Sequence, residues 1–250
     1  MSEETLDEII DGRLRIYQKK SGYRFSLDSL LLAHFISLKK NTRALELGCG
    51  SGIIMLILAL RFAHVEFTGM EIQEELWKLA QKNIGINGLN DRITALKGDA
   101  KKAKSYFPAS SVDCVFFNPP YRRLHSGRIN PDSQKAVARH EIAGSLSVFL
   151  QAAKYLIKPA GKLFIIYPAK RLAHLIWSLR QSDMEPKRMK LVFSAADMPA
   201  EFILLEAASQ GREDLKIEPS ICIYNKDRKY TKEMGVIFHE LAAPPDDADG

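Results

Sequence analysis

The chain has 250 residues, 46% of them apolar and 26% charged, with a formal net charge of +6; this excludes a disordered polyelectrolyte and accommodates one sizeable α/β domain with a small appendage. The longest apolar run, 53–60, is too short to cross a bilayer, and the acidic start Met1-Ser2-Glu3-Glu4 is no signal peptide. Cys49, Cys114 and Cys222 are odd in number and far apart, which excludes a disulfide framework and a zinc pattern and points to a cytoplasmic protein that holds no metal.

Taken in chain order, Leu14-Arg15-Ile16-Tyr17-Gln18 alternates and predicts a short strand that turns near Ser21-Gly22. Ser26 stands where it can cap an apolar stretch over 27–38, with Asp28 in the first turn. From Arg43 onward strand and helix alternate. Strands are predicted over 44–47, 65–70, 93–96, 112–117 and 162–167. Helices are predicted over 53–62 and 73–86, through Leu146, Phe149, Leu150, Ala153 and Ile157, and over 172–179. Two late strands, 189–193 and 201–207, have no helix between them and predict an antiparallel edge hairpin on an otherwise parallel sheet. The proline- and aspartate-rich end, 243–250, reads as a disordered tail.

Four chemical features fall at the ends of strands one to four. The first is Glu46-Leu-Gly48-Cys-Gly50-Ser-Gly52, a turn whose glycines permit positive φ and a close backbone approach to a ligand. Glu46 would repel a diphosphate but suits a ligand bearing an ammonium and a sulfonium. The second is Glu71, 19 residues after Gly52, where a carboxylate can accept both hydroxyls of a ribose. The third is Lys97-Gly98-Asp99-Ala100, where Asp99 can accept an adenine amine beside the Ala100 N–H, or simply cap the helix that starts at Lys101. The fourth is Asn118-Pro119-Pro120-Tyr121, where two prolines end the strand in a stiff corner. There the Asn118 oxygen and the Pro119 carbonyl can take the two hydrogens of a planar amine while Tyr121 stacks on its ring.

That series resembles the class I methyltransferases that use S-adenosylmethionine (AdoMet), over roughly residues 14–224. The resemblance implies a Rossmann-like, seven-stranded, mostly parallel sheet whose last hairpin is antiparallel. It implies AdoMet contacts at Glu46, Gly48, Gly50, Glu71, Asp99, Ala100 and Asn118, with Asn118, Pro119 and Tyr121 as the catalytic corner. The family's loop acid is usually Asp, so Glu46 is a longer variant. Upstream, Gly22-Tyr-Arg-Phe-Ser-Leu-Asp28-Ser29-Leu-Leu-Leu-Ala33 is similar to the opening of bacterial methylases that modify N6 of the adenine 3′ to the anticodon, position 37, in valine tRNA. Pro219-Ser-Ile-Cys-Ile-Tyr224 and Tyr230-Thr-Lys-Glu233 resemble the same group. In that setting Phe25, Ser26 and Asp28 would cover the methionine end of the cofactor. The implied division is an extension over 1–40 packing on the cofactor site, a catalytic domain over 41–242, and a tail.

The expected reaction is methylation of an adenine N6 in RNA by a monomeric, non-membrane enzyme. The corner motif also serves guanine N2 in ribosomal RNA and glutamine N5 in proteins, and a silent RNA-binding scaffold could keep the fold. Basic residues favour RNA: Arg122, Arg123 and Arg128 open a long aperiodic stretch, 122–144, with five Lys/Arg against two acids. This stretch is expected to clamp phosphates.

Overall fold

A computed structural model describes residues 4–20, 26–119 and 146–243. Phe25, Tyr121, Arg122, Arg123, Arg128, the turn at Ser21-Gly22 and the tail from Pro244 onward lie outside the described residues. β1 (Glu4–Ile9) and β2 (Leu14–Lys19) form an antiparallel ribbon. The main sheet contains β3 (Arg43–Leu47), β4 (Glu66–Glu71), β5 (Ile93–Lys97), β6 (Val112–Phe117), β7 (Ile157–Pro168), β8 (Met184–Ala195), β9 (Ala200–Ser209), β10 (Lys216–Ile217) and β11 (Ile221–Tyr224). Its order is β10-β8-β9-β7-β6-β3-β4-β5, with β11 also paired to β8. Only β9 runs against its neighbours, because a connection of a few residues after β8 can return the chain only antiparallel.

Helices cover both faces. α1 (Leu27–Phe35), α2 (Ile53–Arg61), α3 (Glu74–Ile86) and α6 (Lys232–Ala242) share one core with β2, while α4 (Leu146–Leu156) and α5 (Leu172–Gln181) build the other. α2 is buried at every position from Ile53 to Ala59, as an all-apolar helix between a sheet and a second helical layer should be.

The sequence expectation of seven strands is therefore corrected to nine among the described residues. The β8–β9 pair is not the sheet edge, since β10 and β11 lie outside β8. Ser26 occupies the N-cap position of α1 but makes no side-chain cap; its hydroxyl donates instead to Asp28 Oδ1. β7 begins five residues earlier than 162, at Ile157, and a register shift against β6 absorbs Pro159 and Gly161.

The β1–β2 ribbon is fastened by two asparagines four residues apart, Asn83 on α3 and Asn87 at its C-cap. Asn83 accepts the Tyr17 N–H at 2.7 Å and donates to the Tyr17 carbonyl at 3.2 Å; Asn87 does the same for Arg15, at 3.0 and 2.8 Å. Each carboxamide thus imitates one residue of a partner strand along the β2 edge. Fully buried Asn83 also donates to the Ser51 carbonyl at 3.1 Å, so the ribbon is tied to the glycine turn. Asn83→Ala would strand buried backbone groups at both ends, and we expect it to lower folding stability by about 3 kcal/mol. Urea unfolding with an unchanged slope and a lower midpoint would show this.

Candidate active site

Parallel strands β3, β4, β5 and β6 all end at one edge of the sheet, and the first three features foreseen from the sequence stand there with Asn118 and Pro119 of the fourth. Register places Glu46 beside Phe116 on one side and Gly69 on the other, so the turn after β3 and the corner after β6 leave adjacent strands, about 4.8 Å apart. Phe149 of α4 binds the two: its ring is 5.1 Å from that of Phe117, and a Cβ added to Gly48 would lie 3.3 Å from the same ring. Gly48 has φ +70°, so a side chain there would be strained by conformation and crowded by the ring.

Glu46 is 2% exposed. Burial pushes its carboxyl well above the usual carboxylate range, opposed by a hydrogen bond from the Met55 N–H and reinforced by the neighbouring charge of Glu71. Its Oε2 has no hydrogen-bond partner among the described residues. An unsatisfied buried acceptor costs folding free energy.

Glu71 is also buried, and burial raises its carboxyl in spite of the Gln73, Gly50 and Ile72 N–H groups. Its Oε2 accepts the Gly50 N–H at 2.9 Å and its Oε1 the Gln73 N–H at 2.8 Å. The Gly50 amide, read from the sequence as a donor for a ligand, is therefore engaged by Glu71. Three N–H groups on a carboxylate with about four acceptor sites leave room for one further donor. Asp99 Oδ1 accepts the Lys101 N–H at 2.9 Å, so it caps the 3-10 turn Ala100–Ser105; Ala100 is the first residue of that turn.

Asn118 follows the last residue of β6 and is half-buried, and Pro119 is buried. Asn118 Nδ2 donates to Asp28 Oδ2 at 3.0 Å. Asp28, expected to cover the methionine end of a cofactor, stands against the corner side chain. Tyr121 and the three arginines cannot be placed, since they lie outside the described residues. Among the described residues no group of three or more His, Cys, Asp or Glu side chains could hold a metal ion, and no helix is long and apolar enough to cross a membrane.

Sequence reasoning gave no role to an aromatic and basic tip between β11 and α6. Tyr224 stacks on Tyr230 with centroids 5.3 Å apart and planes 20° apart, and Phe238 meets Tyr230 edge-on at 5.0 Å. Both tyrosines are exposed, at 37% and 50%. Asn225 Oδ1 holds the turn by accepting the Asp227 and Lys229 N–H groups. Tyr224 is level with Ala195, the last residue of β8, so the tip projects from the same sheet edge as Asn118. Alternating Lys and Arg in Asn225-Lys-Asp-Arg-Lys-Tyr230 was the available signal.

The sequence pattern that defines the family described as a methyltransferase domain matches residues 38–218. A protein of Tolumonas auensis called tRNA1(Val) (adenine(37)-N6)-methyltransferase is 27% identical over 238 residues, covering 92% of this chain and 94% of that relative. A protein of the same name from Dyadobacter fermentans is 24% identical, over 85% and 87%. Among solved structures, a predicted O-methyltransferase from Agrobacterium tumefaciens shares the fold, with a TM-score of 0.71 at 19% identity over 89% of this chain and all of that one.

Proposed function

The chain belongs to the family of methyltransferase domains, and from that membership we propose that it methylates N6 of an adenine in RNA, at position 37 of valine tRNA, with AdoMet as donor. The observation that carries the reading is that Asn118 and the Gly48 turn, with the unsatisfied Glu46 oxygen, leave adjacent strands whose ends Phe149 bridges through Phe117 and Gly48. The names of the relatives support the choice of adenine and of tRNA.

The residues fit AdoMet. Glu46 Oε2 would take its ammonium, Glu71 a ribose hydroxyl, and Asp99 with the Ala100 N–H its adenine, while bare Gly48 and Gly50 leave room for its chain. Bound there, it would supply a methyl group on a positively charged sulfur. The chain's own contribution is positional. Asn118 Oδ1 and the Pro119 carbonyl accept the two hydrogens of the target amine, which concentrates the nitrogen lone pair on the side facing the methyl carbon. Tyr121 would receive the ring of the flipped base. As the N–C bond forms and the S–C bond breaks, the amine gains positive charge and releases one proton to water, so no strong general base is needed.

RNA would lie across the strand ends, where Arg122, Arg123 and Arg128 would clamp phosphates. Lys101 and Lys102 follow β5, and Lys226, Arg228 and Lys229 stand on the tip after β11; all five are exposed. Four strand steps separate β6 from β11, roughly 19 Å, close to the width of an RNA stem. The stacked tyrosines of the tip offer a face to an unpaired base. Reversing charge at Lys226, Arg228 and Lys229 together should weaken tRNA binding and reduce its salt slope by about two to three units, leaving AdoMet affinity unchanged. An unchanged salt slope would remove the tip from the RNA face.

Incubation with methyl-labelled AdoMet and total tRNA, ribosomal RNA, DNA and protein tests the substrate class. Label is expected in tRNA as N6-methyladenosine; label in ribosomal guanine or in glutamine would replace the reading by one of those activities. Calorimetry that detected no AdoMet binding would leave only a silent scaffold.

A further inference from the structure

We propose that Asp28 is a positioning residue that decides which end of the Asn118 carboxamide meets the target amine; this rests on the proposed role of Asn118. Asp28 lies in the first turn of α1, 8% exposed, and Asn118 Nδ2 donates to its Oδ2 at 3.0 Å across 90 residues of sequence. Its Oδ1 accepts the Ser29 N–H at 2.9 Å and the Ser26 hydroxyl. A carboxylate has no hydrogen to give, so it can face only the NH2 end of the carboxamide. The carbonyl end is thereby turned away from α1.

The two ends of an asparagine side chain are nearly the same size, and its last torsion is soft. Turned over, the side chain would aim two hydrogens at the two hydrogens of the amine, and the grip would become a repulsion. An acceptor fixed on the NH2 side removes that state.

Asp28 is itself held by a clamped helix. Arg61 donates to the Ala33, His34 and Ile36 carbonyls at the end of α1. Arg188 donates to the Phe35 carbonyl at 2.8 Å and lies over the Phe35 ring at 4.0 Å, and His34 meets Glu240 of α6 at 2.6 Å. α1 therefore behaves as a fixed post that delivers one carboxylate oxygen to Asn118.

Asp28→Asn gives the sharpest test because it keeps shape. The new amide keeps its oxygen on the Ser29 N–H and turns its NH2 to Asn118, which must reverse to accept it. The expected result is a kcat lowered roughly 100-fold, with AdoMet affinity, RNA KM and melting temperature close to wild type. Combining Asp28→Asn with Asn118→Asp restores a donor facing an acceptor and leaves a second oxygen for the amine, so the pair should turn over faster than Asp28→Asn alone. Wild-type kcat in Asp28→Asn, a parallel loss of AdoMet affinity, or a double variant no better than the single one would each overturn the proposal. Asn118→Ala in the same assay separates the two levels. Full turnover there refutes the amine grip itself, whereas lost turnover there with full turnover in Asp28→Asn refutes only the role of Asp28.

Discussion

Replacing Asn118 with Ala should lower the rate of methyl transfer by about 10²- to 10³-fold while changing AdoMet affinity little. The exocyclic nitrogen of adenine is a poor nucleophile because its lone pair is shared with the ring. In the proposed mechanism two acceptors aimed at its hydrogens would draw it out of plane, Asn118 Oδ1 being one of them. The other, the Pro119 carbonyl, is main chain and survives the substitution. Asn118 stands after β6, whereas Glu46 lies one residue before the end of β3 and Glu71 ends β4, so the partners proposed for the cofactor's charged and ribose groups would be kept. Single-turnover measurement with AdoMet saturating, beside calorimetry of AdoMet binding, separates the two effects. A matching loss in both would move Asn118 from the amine to the cofactor.

Glu46→Gln should have opposite effects on folding and on binding. In the folded chain the Glu46 carboxyl sits well above its ordinary value of 4.5, because burial disfavours the charge. The unfolded chain releases that proton near pH 4.5, whereas the folded chain holds it. Stability is therefore greatest below that value and declines as pH rises toward the raised one, by up to about 1.4 kcal/mol per unit for a single group. Glu71 is shifted in the same direction and adds to the decline. Glutamine has no charge to bury, so the ligand-free variant should melt at a higher temperature near neutral pH and lose part of its pH slope. It also loses the carboxylate intended for the cofactor's ammonium, and AdoMet affinity should drop about 10- to 100-fold. Differential scanning calorimetry from pH 5 to 8, with and without AdoMet, reads both. A variant that is destabilised without ligand and binds normally would assign Glu46 to the fold.

Legibility in the sequence followed how local each cause was. Gly48, Gly50 and Gly52 could be read because their positive φ values are a requirement of the turn alone. The strand ending at Phe117 could be read because burial on both faces leaves Cys114-Val-Phe-Phe117 as an apolar run. β1 escaped because Glu4, Asp7 and Glu8 break its apolar pattern; a two-stranded ribbon needs only one sticky face. α6 carried a readable signal in Thr231, which caps Met234, followed by Ile237 and Leu241 at helical spacing. The bonds from Asn83 and Asn87 to β2, and from Asp28 to Asn118, join residues 66 to 90 positions apart, and no local pattern encodes them. Asp28 has the local bonds of a first-turn acid, to Ser26 and Ser29; only the fold brings Asn118 to it.

The proposed activity is methylation of one adenine nitrogen. It is tested most directly with a valine tRNA transcript carrying adenine at position 37 and a second transcript carrying guanine there, each incubated with AdoMet and digested to nucleosides. The account predicts N6-methyladenosine from the first and no methylated nucleoside from the second. Equal methylation of both, or methylation of neither under conditions where AdoMet is bound, would contradict it.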